Sequence, residues 1–223
     1  AMREGATVST HNNTKGLVRA FDVRTGKRLW QFNTIPHPGE FGGDTWHHES
    51  WSVNGNVGVW TQITVDEQLG LVYLPVETPT SDYYGGHRPG NNLFAESLVC
   101  VDLRTGQRKW HFQFVHHPIW NFDMSSAPLI ADVTVDGRPR KVVAVPSKQG
   151  WLYVFDRVTD FVYVPRDAHV EVAFRQLALG VLLRSLESPD SGRQRRIGLL
   201  TLRQRPDRRL QRLRFRLQRS AER

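Results

Sequence analysis

The sequence predicts an all-β, propeller-type fold over residues 1–159 and a tail of unrelated composition over residues 160–223. Three observations carry that reading: a thirteen-residue phrase recurs, a tryptophan stands at the same offset within it, and the composition changes abruptly where a third copy breaks off. The phrase runs from Val18 to Trp30 as VRAFDVRTGKRLW and returns from Leu98 to Trp110 as LVCVDLRTGQRKW. Each copy is an apolar strand, an Asp-x-x-Thr-Gly turn and a second strand ending in Trp. The Asp and Thr side chains bond turn amides, and the Gly takes the left-handed conformation of a hairpin bulge. The Trp falls eight residues after the Asp in both copies and covers the sheet face with a large apolar ring. Repeated antiparallel hairpins of this kind are the mark of a propeller, whose blades are successive small sheets.

A third copy opens as Trp151-Leu152-Tyr153-Val154-Phe155-Asp156-Arg157-Val158-Thr159 and then fails. Asp160 stands where the repeat needs Gly, and Val164 where it needs Trp. Beyond the break the chain has no Lys, Asn, Trp or Cys, and Arg203 to Arg223 is an alternation of Arg, Leu and Gln. A break in mid-hairpin leaves a strand without its partner, a strange place for a domain boundary. Three readings of the tail follow. One is translation of a shifted frame in GC-rich DNA, which yields Arg rather than Lys and starts abruptly inside a motif. Another is a basic helix for nucleic acid or a membrane surface, since Leu199, Leu202, Leu210, Leu213 and Leu217 have partly helical spacing. The last is a disordered, solvated extension without function. The abrupt onset favours the first.

Composition excludes several classes. No apolar run approaches 18 residues, so no transmembrane helix is expected. The first residues lack an apolar segment behind a basic end, so no signal peptide is expected in the chain as written. Cys100 is the single cysteine and lies in an apolar run, where it reads as a small buried hydrophobe. The net charge of +8 invites a nucleic-acid reading, but its distribution argues otherwise. Residues 161–223 hold 15 Arg against 6 acidic residues, while residues 1–160 hold 15 basic and 16 acidic residues. The propeller part is neutral and shows no phosphate-binding surface, so no nucleic-acid partner is expected for it.

Between the repeats stand Gly55-Asn56-Val57-Gly58-Val59-Trp60, Leu71-Val72-Tyr73-Leu74-Pro75-Val76-Glu77, the loop Asp82 to Gly90 (DYYGGHRPG), Val115-His116-His117-Pro118-Ile119-Trp120, and Pro146 to Arg157 (PSKQGWLYVFDR). Together these resemble the pyrroloquinoline-quinone (PQQ) dependent alcohol and glucose dehydrogenases, the quinoproteins, over roughly residues 15–159. The resemblance implies a partial eight-bladed β-propeller of about three blades, with a PQQ cofactor near the axis beside a divalent metal, usually calcium. It also implies a periplasmic enzyme that passes electrons from an alcohol or sugar to a respiratory quinone or cytochrome.

The same resemblance assigns residues. Trp60 matches the position whose indole lies flat under the quinone; the alternative is a blade-packing Trp like Trp30 or Trp110, but Trp60 lies outside the repeat phrase. Lys148 matches the cation that contacts the quinone oxygens, where it stabilises charge building on them during reduction. Calcium takes several oxygen ligands. One family ligand follows the Leu-Val-Tyr-Leu-Pro strand, where this chain offers Glu77, Thr78 and, further on, Asp82, and Glu77 is the residue chosen. Another lies near His11-Asn12-Asn13, where Asn12 is the candidate and His11 a poor ligand for calcium. The family base is the Asp of His-His-x-x-Trp-Asp, which takes the substrate's hydroxyl proton. Here that position is Asn121, and an amide accepts no proton at ordinary pH. Asp123 faces the same side if the segment is extended, one strand repeat away. Adjacent His116 and His117 would point to opposite faces of a strand, so a structural role is expected for them, and the same holds for His47 and His48.

These readings imply a piece of a PQQ-dependent dehydrogenase that, as this chain, binds neither quinone nor calcium usefully and is inactive. A rival reading is a non-catalytic propeller remnant whose basic tail binds polyanions, with binding that weakens steeply in salt.

Overall fold

Each copy of the repeat phrase folds as a bulged hairpin. The computed structural model describes residues 14–135, 137–159 and 162–163, all of them inside one compact unit of residues 1–181. Strands β1 (Leu17–Phe21) and β2 (Arg28–Asn33) form a two-stranded antiparallel sheet. A 3-10 turn (Gly43–Thr45) and the single-turn helix α1 (Ser50–Val53) follow. Strands β3 (Thr64–Asp66), β4 (Leu71–Pro75), β5 (Ser97–Asp102) and β6 (Arg108–Gln113) make a four-stranded antiparallel sheet in chain order. Strands β7 (Leu129–Val135), β8 (Arg138–Pro146), β9 (Leu152–Asp156) and β10 (Val162–Tyr163) make a second such sheet. The chain is therefore mostly β, with three antiparallel sheets in succession and no helix among the described residues long and apolar enough to cross a membrane.

The turn chemistry is the one the sequence predicts. Asp22 Oδ1 accepts the backbone N–H groups of Arg24 and Thr25 and the Thr25 hydroxyl, at 3.1, 2.8 and 2.8 Å. Asp102 Oδ1 does the same with Arg104 and Thr105, at 3.1, 2.9 and 3.0 Å. The Thr105 amide and hydroxyl, then Lys109, hold the Asp102 carboxyl well below its ordinary range, at about 2. Gly26 and Gly106 close the turns at φ 68° and 70°, each beside a register shift in the first strand of its hairpin. Asp156 starts a third such turn, accepting the N–H groups of Val158 and Thr159.

Burial on both faces explains why the central strands read as continuous apolar runs. All five residues of β4 are buried. Val72 and Leu74, with Val99 and Val101 of β5, face a core shared with Val18, Ile35 and Trp46. Leu71 and Tyr73, with Leu98 and Cys100, face the opposite core with Trp110, Val143, Val145 and Phe155. Two further ties join successive sheets. The Trp30 indole donates to the Leu103 carbonyl at 2.9 Å. Arg157, 6% exposed, reaches Asp66 Oδ2 at 2.6 Å and also grips Asp132.

The glycines of the two turns differ in surroundings. A Cβ at Gly26 would meet nothing within 4 Å, whereas one at Gly106 would lie 2.5 Å from Trp30 Cδ2. Gly26→Ala is expected to cost about 1 kcal/mol for its left-handed backbone alone. Gly106→Ala should cost about 1–3 kcal/mol more, because the Trp30 ring must shift. Urea denaturation followed by tryptophan fluorescence measures the difference; equal costs would mean that Trp30 is not seated on that turn.

Candidate functional site

The site is built where three irregular segments meet the ends of the strands. Residues 76–96 link β4 to β5, residues 114–128 link β6 to β7, and residues 147–151 link β8 to β9. Several non-glycine residues here hold positive φ, namely Ser81, Asn92, Glu96, His117 and Asn121. Such backbone persists only where the surroundings over-determine it.

Arg88 is the principal tie. Its guanidinium is fully buried, donating from Nη1 to Asn92 Oδ1 at 2.8 Å and from Nη2 to the carbonyls of Ser81 and Pro118. Burial lowers its pKa to about 10, against the opposing pull of Glu96 and Asp82. His117 adds two clasps between the same segments: its N–H donates to the Asn91 carbonyl at 3.0 Å, and Nδ1 lies 2.8 Å from the Gly90 carbonyl. The structural role expected for His117 is thus met by backbone partners on the facing loop.

Four carboxylates gather around this tie. Glu96 is fully buried; its Oε1 accepts the Thr78 hydroxyl and, at 2.8 Å, the Phe122 N–H, while Oε2 has no hydrogen-bond partner. Burial pushes its pKa up. Asp123 Oδ1 accepts the Thr78 N–H at 2.8 Å and Oδ2 pairs with Lys148 Nζ at 2.9 Å. Glu77 is buried and its Oε1 accepts the Gly58 N–H at 2.9 Å. Asp82 is also buried, and burial, followed by the neighbouring Asp123 charge, raises its pKa against Arg88 and Lys148.

The residues singled out from the sequence fall into this frame unevenly. Asn121 sits at its centre: its side-chain amide donates to Asp82 Oδ2 at 3.3 Å and to the Tyr83 hydroxyl at 3.4 Å, and its carbonyl accepts Lys148 Nζ at 3.1 Å. Asn121 is left-handed at φ 53°, so the segment is not an extended strand there, and strand alternation does not set the direction of Asp123. Lys148 instead brings Asn121 and Asp123 to one ammonium. Trp60 is 44% exposed, in a segment pinned at Gly58 by Glu77 and at Thr61, whose hydroxyl reaches the Ser125 carbonyl at 3.5 Å. Glu77 is joined to the cluster through the adjacent Thr78. Asn12 lies outside the described residues. Among the described residues no three His, Cys, Asp or Glu side chains come together to hold a metal ion.

Sequence reasoning passed over Arg88 and Glu96 entirely. Both read as ordinary loop charges, and only their burial reveals them. It counted Asp82 merely as a further metal oxygen and as the start of a motif loop.

A family model described as the PQQ glucose/ethanol/alcohol dehydrogenase β-propeller domain matches residues 3–164. The chain belongs to this PQQ dehydrogenase family. Among curated relatives, the quinoprotein glucose dehydrogenase of Escherichia coli is 36% identical over 154 residues, covering 68% of this chain and 19% of that protein. The quinohemoprotein alcohol dehydrogenase ADH-IIG of Pseudomonas putida is 31% identical over 157 residues, covering 65% of this chain and 22% of that protein. The solved structure of ADHIIG from Pseudomonas putida HK5 superposes with a TM-score of 0.63 at 29% identity, covering 69% of this chain and 24% of that one. That of the Comamonas testosteroni quinohemoprotein alcohol dehydrogenase gives 0.62 at 26%, covering 69% and 25%. The chain thus spans about a fifth to a quarter of these relatives. The three sheets match part of a PQQ propeller. The family uses PQQ, and the described residues form no complete cofactor site.

Raised carboxyl pKa values fix the direction of a pH effect. A carboxyl whose folded pKa is raised contributes stability that is complete below its unfolded value, about 4.3 for Glu, and lost as pH rises through the folded value. Glu96 should therefore contribute a loss of stability as pH rises above its unfolded value, and Glu96→Gln should flatten that loss. Urea unfolding at a series of pH values tests this; an unchanged slope in the variant would remove Glu96 from the effect.

Proposed function

We propose that these residues serve a PQQ-dependent dehydrogenase that oxidises the hydroxyl of an alcohol or a sugar and delivers electrons to a respiratory acceptor in the periplasm. The observation that carries this reading is the joining of Lys148 to Asn121 and Asp123, beside a loop that leaves the Trp60 indole exposed. An open aromatic face suits a planar cofactor, and an ammonium suits its oxygens. On this reading residues 1–159 form successive blades of a larger propeller, and Trp60 and Lys148 hold the quinone. The bound quinone supplies the two-electron acceptor. The chain's own residues orient the substrate and manage its proton.

A calcium ion does not fit the described residues in the same way. Glu77 is committed to the Gly58 amide, and no carboxylate group gathers beside it in ligand geometry. No step is assigned to a metal.

One indole and one cation make a weak site, in keeping with the low affinity expected from the sequence. Titrating the chain with PQQ, followed by tryptophan quenching, should show weak saturable binding that added calcium leaves unchanged. Trp60→Ala should weaken it about tenfold, the value of one lost stacking contact. Tight binding that depends on calcium, or quenching unaffected by Trp60→Ala, would count against this assignment of the site.

A further inference from the structure

Asn121 creates a chemical gap: an amide stands where the family carries its base, and an amide accepts no proton. The four neighbouring carboxylates are not equivalent candidates to fill it. Glu96 is fully buried beneath the loop and cannot meet a substrate. Glu77 is buried and bonded to the Gly58 amide. Asp123 has one oxygen on the Thr78 N–H and the other on the Lys148 ammonium, so both of its oxygens are already engaged. Asp82 remains. Its Oδ2 receives the Asn121 amide, so the amide that cannot act as base points at a carboxylate that can. Asp82 is itself buried, and its chain neighbour Tyr83 and Asn121's neighbour Trp120 are exposed, with the Tyr83 hydroxyl 3.4 Å from the Asn121 amide.

We propose that Asp82 is the proton acceptor of this site and that the Asn121 side-chain amide positions it. The assignment rests on the dehydrogenase reading above. In the step it performs, the substrate O–H bond breaks and the proton passes to an Asp82 oxygen, leaving a neutral carboxylic acid. The carbinol hydrogen departs with its electron pair to the quinone, and the alcohol carbon becomes a carbonyl. One proton and one hydride leave the substrate, so the two-electron oxidation balances. The groups facing Asp82 are Asp123, whose charge favours protonation, and Arg88 and Lys148, whose charges oppose it; Glu96 lies beyond Arg88, and Tyr83 reaches it through Asn121. Burial, followed by the Asp123 charge, shifts its pKa upward, the direction that favours taking up a proton.

The test uses the full chain at saturating PQQ, with a primary alcohol and an aldose as substrates and a dye as final acceptor. Asp82→Asn should lower kcat by about a hundredfold or more, the usual effect of removing a general base, with quinone quenching unchanged. Asp82→Glu should recover part of the rate. Asn121→Ala removes a donor to the charged carboxylate, so it should move the acid limb of the kcat/KM profile to higher pH. The same upward shift should appear in the ¹³C carboxyl titration of Asp82 in the chain without quinone, a readout that needs no turnover. Oxidation that survives Asp82→Asn within threefold overturns the assignment alone, and so does a titration of Asp82 that Asn121→Ala leaves unmoved. A wild-type chain that binds quinone yet oxidises neither substrate at any pH overturns the dehydrogenase reading, and the role of Asp82 with it.

Discussion

The buried guanidinium of Arg88 is the constraint on which the site depends. It satisfies carbonyls on its own loop and on the segment that carries Asn121, and so converts two irregular stretches of chain into one frame. Taking a cation out of water costs several kcal/mol unless donors and nearby opposite charge compensate it. Here the Asn92 amide oxygen and two backbone carbonyls accept its protons, and the carboxylates of Glu96 and Asp82 supply the charge. The planar fork of Arg reaches these acceptors at fixed angles, which a lysine ammonium does not. The left-handed backbone at Ser81, Asn92, His117 and Asn121 is the strain that this frame holds in place.

Beneath that frame the fold is repetitive and local. Each Asp-x-x-Thr-Gly turn satisfies its own amides, so each hairpin closes without help from distant residues. The sheets gain stability by stacking, with β4 and β5 contributing alternate side chains to two separate cores. The rigid sheets present their connecting loops at one end, where irregular backbone is free to carry chemistry. Over the residues described, this chain thus carries an irregular loop cluster at one end of its strands.

Within the cluster, the charges of Asp123, Arg88 and Lys148 act on Asp82, and those of Asp123 and Arg88 act on Glu96. Lys148 neutralises Asp123, and Thr78 serves both Asp123 and Glu96, so two of the acids are locked by direct contacts. Asp82 is held more loosely, by a 3.3 Å contact from a neutral amide. Under the proposed assignment, the basic oxygen moves from position 121 to Asp82. A single-residue comparison with the family motif sees only the loss.

By itself the sequence determined the class of the fold, the hairpin turns, the burial of Cys100 and the family, and it marked Trp60, Lys148 and Asn121 as the residues that match the family's motifs. These are properties of short segments: turn residues bond their own backbone, and apolar alternation is read within one strand. It also marked the change of composition at Asp160, whose consequence lies outside the described residues. Only the tertiary structure decided that Arg88 and Glu96 are buried, that Lys148 is shared between Asn121 and Asp123, and that Asp82 lies at the Asn121 amide. The Lys148 and Asp82 contacts join residues 25 to 39 positions apart. No local pattern encodes them, because the burial and charge that define each group come from segments brought together when the sheets stack. Asp82 and Asn121 look unrelated along the chain, and they become one acid–amide pair only when the loops close over Arg88.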